Sequence, residues 1–310
     1  MKRVEHILPE LRKLMEGFPI VDLRNPEIPE DFEIPHIEKS PLVKTVVLSI
    51  PGPESELKVK IYEPANRTGN RLPALLWIHG GGYVLGDPDI DDGLCEQFVL
   101  EANCVTVSID YRLAPQNPYP AAIEDCYAGL KWMVTQADDL NIDISRIAVA
   151  GASAGGGLTA ALSLLARDRG ELKIAFQMPL YPMIDDRNIT PSSYEINKEN
   201  FPKLWNREQN RLAWSMYLGD TAADEVTPYA APARARDLTG LPPTYTCIGV
   251  LDLFRDETIE YVTRLAQADV PVEFHLYPGC YHGFETIFKD TEISRQARNE
   301  YIKALAHALK

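Results

Sequence analysis

Long apolar runs are missing from this sequence. No stretch reaches the length of a membrane span, and Met1-Lys2-Arg3-Val4-Glu5-His6 leads into charged sequence without the apolar core of a secretory leader. The expectation is a cytoplasmic chain. Positive charge is also short: 31 Lys plus Arg stand against 45 Asp plus Glu, a formal net charge of -14. A surface of that sign repels phosphate backbones and anionic headgroups, which excludes nucleic acid and stable membrane association as partners. The acidic residues are spread along the chain rather than gathered in a tail, as suits a solvated surface. Cysteine is sparse and unpaired. Cys95, Cys104, Cys126, Cys247 and Cys280 form no C-x-x-C pair, and most lie in apolar or helical stretches. They read as reduced core thiols rather than as a disulfide framework or a zinc site. Internal repeats and low-complexity segments are absent too.

What is present is 310 residues with 45% hydrophobic composition, enough for one large core or two smaller ones. Residues 42–50 and 57–62 are rich in β-branched side chains and partly alternate, with Pro51-Gly52-Pro53 between them, which predicts an antiparallel pair. Short apolar runs without polar alternation follow at 74–78, 105–109, 147–150, 174–180, 245–250 and 272–277. Such runs suit strands covered on both faces. Helical patterns lie between and after them, at 93–102, 121–137, 154–167, 257–268 and 293–309. This alternation predicts a largely parallel, doubly wound α/β sheet.

Two segments break the rhythm. Residues 1–40 carry Val4, Ile7, Leu8, Leu11, Leu14, Met15 and Phe18 at helical spacing, stopped by Gly17 and Pro19. Ordinary packing on the body is favoured there over a membrane-surface helix. Residues 184–232, between two predicted strands, hold Phe201, Trp205, Trp214, Met216 and Tyr217. A structureless loop of that length is improbable, so helices are expected there. Placed after a strand, the segment would lie over the edge of the sheet where α/β folds keep their ligands. The expected organisation is therefore 1–40 and 184–232 as parts of a helical cap, with 41–183 and 233–310 as the two parts of the catalytic domain.

Gly151-Ala152-Ser153-Ala154-Gly155 satisfies G-x-S-x-G in the context of strand, sharp turn and helix, which raises a serine hydroxyl above the sheet edge. A phosphate cradle is the competing reading. No Lys-Ser or Lys-Thr follows the glycines and no G-x-G-x-x-G pattern occurs, so it is weaker. His79-Gly80-Gly81-Gly82 also follows a predicted strand, and bare backbone N–H groups there can approach an oxyanion closely. Such donors are worth about 3 kcal/mol each in acyl transfer. Gly81, Gly82 and Ala154 are the expected donors, while His79 reads as a loop brace.

Serine needs a base, and the base needs an orienting carboxylate. Of the histidines after Ser153, His275 lies inside a predicted strand and His307 in the terminal helix, which leaves His282 in a loop at a strand end. Asp252 ends another strand. Asp256 and Glu257 look like the first turn of the following helix, so Asp252 is the expected acid.

These residues resemble the hormone-sensitive-lipase-like carboxylesterases of the α/β-hydrolase fold. The resemblance extends from His79-Gly80-Gly81-Gly82-Tyr83 through Asp110-Tyr111-Arg112-Leu113-Ala114-Pro115, Tyr119-Pro120-Ala121-Ala122 and Asp125. It continues through Leu180-Tyr181-Pro182, Gly240-Leu241-Pro242-Pro243, Asp252 with Arg255-Asp256-Glu257, and Tyr281-His282-Gly283-Phe284. It implies an eight-stranded, mostly parallel sheet with a helical cap, and oxyanion donors at the positions already chosen. It also implies hydrolysis of short-acyl esters without metal or organic cofactor, and it allows a homodimer. The chain departs from the family at Ala152, where an acidic residue often precedes the serine, at Gln116, and at Leu253-Phe254. None of these removes a triad group. Amide or arylformamide hydrolysis on the same triad is the alternative. A non-catalytic small-molecule receptor would be expected to lose a triad member, and none is missing.

Overall fold

The computed structural model describes residues 3–17, 19–20, 22–24, 39–67 and 69–310, so Phe18 and most of the Pro-rich stretch before residue 39 lie outside the described residues. In chain order the elements are α1 (Pro9–Met15), β1 (Val43–Pro51), β2 (Glu56–Pro64), β3 (Leu72–Ile78), α2 (Asp92–Ala102), β4 (Val105–Asp110) and α3 (Ala121–Thr135). Then come β5 (Ile142–Ala152), α4 (Ala154–Arg169), β6 (Phe176–Leu180), α5 (Pro191–Glu195), α6 (Arg207–Leu218) and β7 (Thr244–Leu251). The chain closes with α7 (Arg255–Gln267), β8 (Val272–Tyr281), α8 (Phe284–Ile287) and α9 (Glu292–Ala308).

The strands form an 8-stranded sheet in the order β1-β2-β4-β3-β5-β6-β7-β8. β1 and β2 are antiparallel, as are β2 and β4, and every later pairing is parallel. Where the sequence is continuously apolar the strand is central: Ala74 to Ile78 on β3 and all of β6 are buried. Where it is mixed the strand is at an edge, as the partly exposed β1 and β8 are. Helix α2 packs on α9 and α3 on α4, the two pairs clothing the two faces of the sheet. The five cysteines are unpaired and buried, as their sequence surroundings predict.

Register decides where the chemistry lies. Ile78 pairs with Gly151, Ala152 with Leu180, and Leu251 with Tyr281. The next residue on each chain is His79, Ser153, Tyr181, Asp252 or His282, so all five emerge along one carboxyl edge of the sheet, where doubly wound folds bind ligands. The strand β8 runs four residues past the apolar run predicted at 272–277, to Tyr281. A register irregularity between Gly249 and Leu251 accompanies that extension, and it carries His282 directly off the strand end.

The amino-terminal helix is shorter than its apolar spacing predicts. A 3₁₀ turn at Arg3–His6 precedes α1, with Ile7 and Leu11 buried and Leu14 exposed. The Leu8 N–H donates to Gly279 O at 3.0 Å, and Tyr281 Oη donates to Leu11 O at 3.2 Å, which seats this helix against the end of β8. Its apolar face is used in packing. Among the described residues no helix is long and apolar enough to cross a membrane.

Candidate active site

Ser153 occupies the turn between β5 and α4 with φ 56° and ψ -114°, a left-handed conformation that L side chains rarely adopt. A backbone in that region costs of order 1–3 kcal/mol, and surrounding contacts must hold it. They do: the Ser153 N–H donates to Leu180 O at 3.0 Å, while its carbonyl accepts from Gly157 N at 2.9 Å and Met183 N at 3.0 Å. The flanking glycines are required by proximity to β3. A Cβ on Gly155 would lie 2.0 Å from Ile78 O, and one on Gly151 would lie 2.5 Å from the same oxygen. Any side chain at either position would push the elbow off the sheet.

The expected base and acid converge on this serine. His282 Nε2 lies 2.9 Å from Ser153 Oγ, and His282 Nδ1 lies 2.8 Å from Asp252 Oδ2. A carboxylate oxygen can only accept, so Nδ1 carries the proton and Nε2 presents its lone pair to the serine hydroxyl. The other Asp252 oxygen, Oδ1, accepts the Phe254 N–H at 2.9 Å, and the side chain is fully buried. The imidazole is held between two aromatic edges: Phe254 at 5.1 Å and Tyr181 at 5.2 Å, both T-shaped. Neither aromatic contact follows from sequence reasoning. Phe254 belongs to the Leu253-Phe254 departure from the family pattern.

The rejected residues have other work. Asp256 Oδ2 accepts the Ser192 N–H at 2.7 Å, and Glu257 Oε1 accepts from Ile184 N at 3.0 Å and Asp185 N at 3.2 Å. Both tie the 184–232 segment to α7. His275 pairs with Glu273 and Glu300 on the sheet edge, and His307 lies in the last turn of α9.

Gly81 and Gly82 form a turn beyond β3, and the N–H groups of Gly81, Gly82 and Ala154 make no hydrogen bond among the described residues. Gly81, at φ 118°, has no room for a Cβ, which would sit 2.0 Å from Leu85 O. His79 braces this turn. Its Nδ1 lies 2.8 Å from Gly80 O, which can only accept, so Nδ1 is the protonated nitrogen. The ring stacks on Tyr111 at 4.2 Å, and Tyr111 Oη donates to His79 O at 3.0 Å. Burial pushes the imidazole down to about 4, so His79 is neutral at physiological pH.

The segment 184–232 holds α5 and α6. Asn206 and Gln209 form a reciprocal capping box that starts α6. Trp214 and Tyr217 of this helix are buried against Tyr83, with Tyr83 and Tyr217 stacked at 4.0 Å, and Phe201 is buried as well. These rings fasten the segment to the body. Trp205 differs: its ring atoms lie 2.5 and 2.9 Å from where a Cβ on Gly82 would be, so it stands directly over the glycine turn.

Residues 75–286 match the family described by the alpha/beta hydrolase fold. Esterase LipI of Mycobacterium tuberculosis is 36% identical over 275 residues, covering 88% of this chain and 85% of that protein. An arylesterase of Saccharolobus solfataricus is 34% identical over 248 residues, covering 80% of this chain and 79% of that one. Among solved structures, a bacterial heroin esterase superposes with a TM-score of 0.90 at 37% identity, over 99% of each chain. By sheet order, elbow and relatives alike, the chain belongs to the hormone-sensitive-lipase-like carboxylesterase family of the α/β-hydrolase fold.

Proposed function

We propose that this carboxylesterase hydrolyses short-acyl esters through an acyl-enzyme on Ser153, with His282 as general base and acid and Asp252 as its orienting carboxylate. The observation that carries the reading is the unbroken hydrogen-bond chain from Asp252 through His282 to Ser153, at 2.8 and 2.9 Å. Ser153 Oγ attacks the ester carbonyl as its proton passes to His282 Nε2. The N–H groups of Gly81, Gly82 and Ala154 receive the oxyanion, and the positive end of α4 adds to their field. Collapse of the tetrahedral adduct breaks the bond to the alcohol oxygen, which leaves with the proton from His282. Water, deprotonated in turn by His282, attacks the acyl carbonyl and releases the acid with Ser153 regenerated.

Residues 184–232, together with the amino-terminal segment, serve as the cap in this reading. Two contacts support it. Trp205 stands over Gly82, and Lys203 Nζ donates to Glu16 O, joining this segment to the amino-terminal one. An indole ring against the glycine turn limits the space beside the acyl carbon, which favours short acyl groups. Ester rather than amide cleavage is favoured because the relatives named above are esterases and an arylesterase.

The test is turnover of p-nitrophenyl esters from acetyl upward, alongside matched anilides, by wild type and Ser153→Ala. Expected are a maximum at short acyl length, ester turnover far above anilide turnover, and loss of activity in a Ser153→Ala protein with unchanged melting. A rate rising steadily to palmitoyl, or anilide turnover matching ester turnover, would contradict the substrate reading. Undiminished turnover in Ser153→Ala would contradict the mechanism.

A further inference from the structure

Among the described residues the buried carboxylates accept well-formed hydrogen bonds, and Glu285 stands apart from them. Asp91 accepts from Trp77 Nε1 at 2.8 Å, Asp125 from Arg112, and Glu257 from two backbone N–H groups. Glu285 is fully buried on α8, three residues after His282, and neither Oε1 nor Oε2 has a hydrogen-bond partner among the described residues. The buried hydroxyl of Tyr181 acts on this carboxylate as a donor too loosely placed to satisfy it, and the buried Tyr301 hydroxyl lies within reach of its charge. A buried group left unsatisfied in a packed core costs about 1–3 kcal/mol, and more when charged, so its retention calls for a reason.

We propose that Glu285 is a positioning residue for ester hydrolysis: its carboxylate, buried behind the His282 loop, is a fixed negative charge that stabilises the imidazolium formed when His282 takes the serine proton. The inference rests on the triad reading above and extends it. The opposite charges that act on Glu285 are those of His282 and Arg298, with His282 the stronger. Arg298 directs its guanidinium to the backbone carbonyls of Glu285 and Lys289, not to the carboxylate. The loosely placed Tyr181 hydroxyl leaves the carboxylate only partly compensated, so its field reaches past its immediate neighbours. Tyr181 links the two groups, since its ring meets the His282 imidazole edge-on at 5.2 Å.

Other ionisable groups share the surroundings. Cys247 lies on β7, Cys280 on β8, and Arg298 and Tyr301 on α9. Asp91, Glu96 and Lys289 line with Glu285 a cleft of about 250 Å³. On the triad side, Asp252 is the other carboxylate facing His282. Burial pushes Glu285 up to about 6, so the side chain is charged at neutral pH and above and loses its field below about 6. The raised value also means that the fold is less stable with the charge present. A neutral replacement should therefore not destabilise the protein, which separates this role from a structural one.

The experiment is the pH profile of kcat/KM on a short p-nitrophenyl ester, with melting temperatures, for wild type, Glu285→Gln and Glu285→Asp. With Gln, the midpoint of the acid limb should fall by about 0.5 unit, the order expected when one charge is removed at side-chain range in a protein interior. The kcat of this variant should fall roughly three- to tenfold, as less imidazolium stabilisation raises the barrier. Its melting temperature should be equal or higher. Asp keeps the charge and should hold the wild-type midpoint. A Gln midpoint that stays in place or rises overturns the proposal, as does a lost kcat accompanied by lowered melting. If the Gln variant does not fold, Glu285→Met removes the same charge and is read in the same way; failure of both to fold overturns it as well. A wild-type profile with no acid limb would count against the triad itself, whereas a limb that fails to move in Gln counts against Glu285 alone.

Discussion

Asp252 can orient His282 because its two oxygens face different donors, one the imidazole Nδ1–H and the other the Phe254 N–H. The backbone bond fixes the carboxylate plane, and the carboxylate in turn fixes the tautomer that leaves Nε2 able to accept. Asp252→Asn keeps the shape but offers Nδ1 an amide that can donate, which favours the wrong tautomer. In that variant kcat should drop by roughly 10⁴ with melting little changed, since loss of the orienting carboxylate in a serine triad has about that effect. Steady-state kinetics with a melting curve checks it, and a loss under tenfold would mean that the orientation of His282 does not depend on this carboxylate. At this scale the sequence was most legible. Ser153, Asp252 and His282 stand out because each ends a strand-like run, and the competing histidines and acids fall inside elements. Phe254 and Tyr181 were not legible as imidazole contacts, since a ring meeting another ring edge-on leaves no mark in residue spacing.

Between β4 and α3 the chain is clamped by Arg112 and Asp125. Asp125 is fully buried and accepts from the Arg112 backbone N–H at 3.0 Å, from Nε at 2.9 Å and from Nη2 at 2.8 Å. The pairing is bidentate and charge-assisted, and it raises the already high guanidinium value of Arg112. It adjoins Tyr111, whose hydroxyl holds the His79 carbonyl, so the clamp also steadies the glycine turn. Asp125→Ala leaves a mostly buried guanidinium without its partner and should cost about 3–5 kcal/mol of unfolding free energy. Denaturant titration measures this, and a change below about 1 kcal/mol would show that Glu54, which also contacts Arg112, is partner enough. Elements were legible where an apolar run was unbroken, as on β3 and β4, and less so where tertiary contacts lengthen or shorten them. β8 continues to Tyr281 because its end pairs with β7 and receives α1, a long-range pairing that local spacing does not encode.

Across the whole molecule, one sheet edge gathers groups far apart in the chain: a glycine turn after β3, the serine after β5, the acid after β7 and the histidine after β8. The order of strand and helix made that edge readable in advance, because a parallel doubly wound sheet places all such loops on one side. The role of the aromatic residues in 184–232 was less readable. Composition suggests a closed apolar pocket, yet Trp214, Tyr217 and Phe201 are spent on holding the segment to the body, and Trp205 alone of the named rings is seen over Gly82. Sorting anchors from pocket walls requires knowing which face of α6 meets Tyr83, and α6 is too short for its pattern to settle that. Ala152, the departure next to Ser153, is buried at the end of β5 and paired in register with Leu180, so the elbow forms without an acidic neighbour there. The central claim, that the ester carbonyl is attacked by the serine on this edge, is tested most directly by reaction with a p-nitrophenyl phosphonate ester, followed by mass spectrometry of the digested protein. The account predicts a single phosphonyl adduct on the peptide containing Ser153, with activity lost in proportion to labelling. Proportional inactivation with the adduct on any other residue, or full labelling of Ser153 with ester hydrolysis intact, would contradict it.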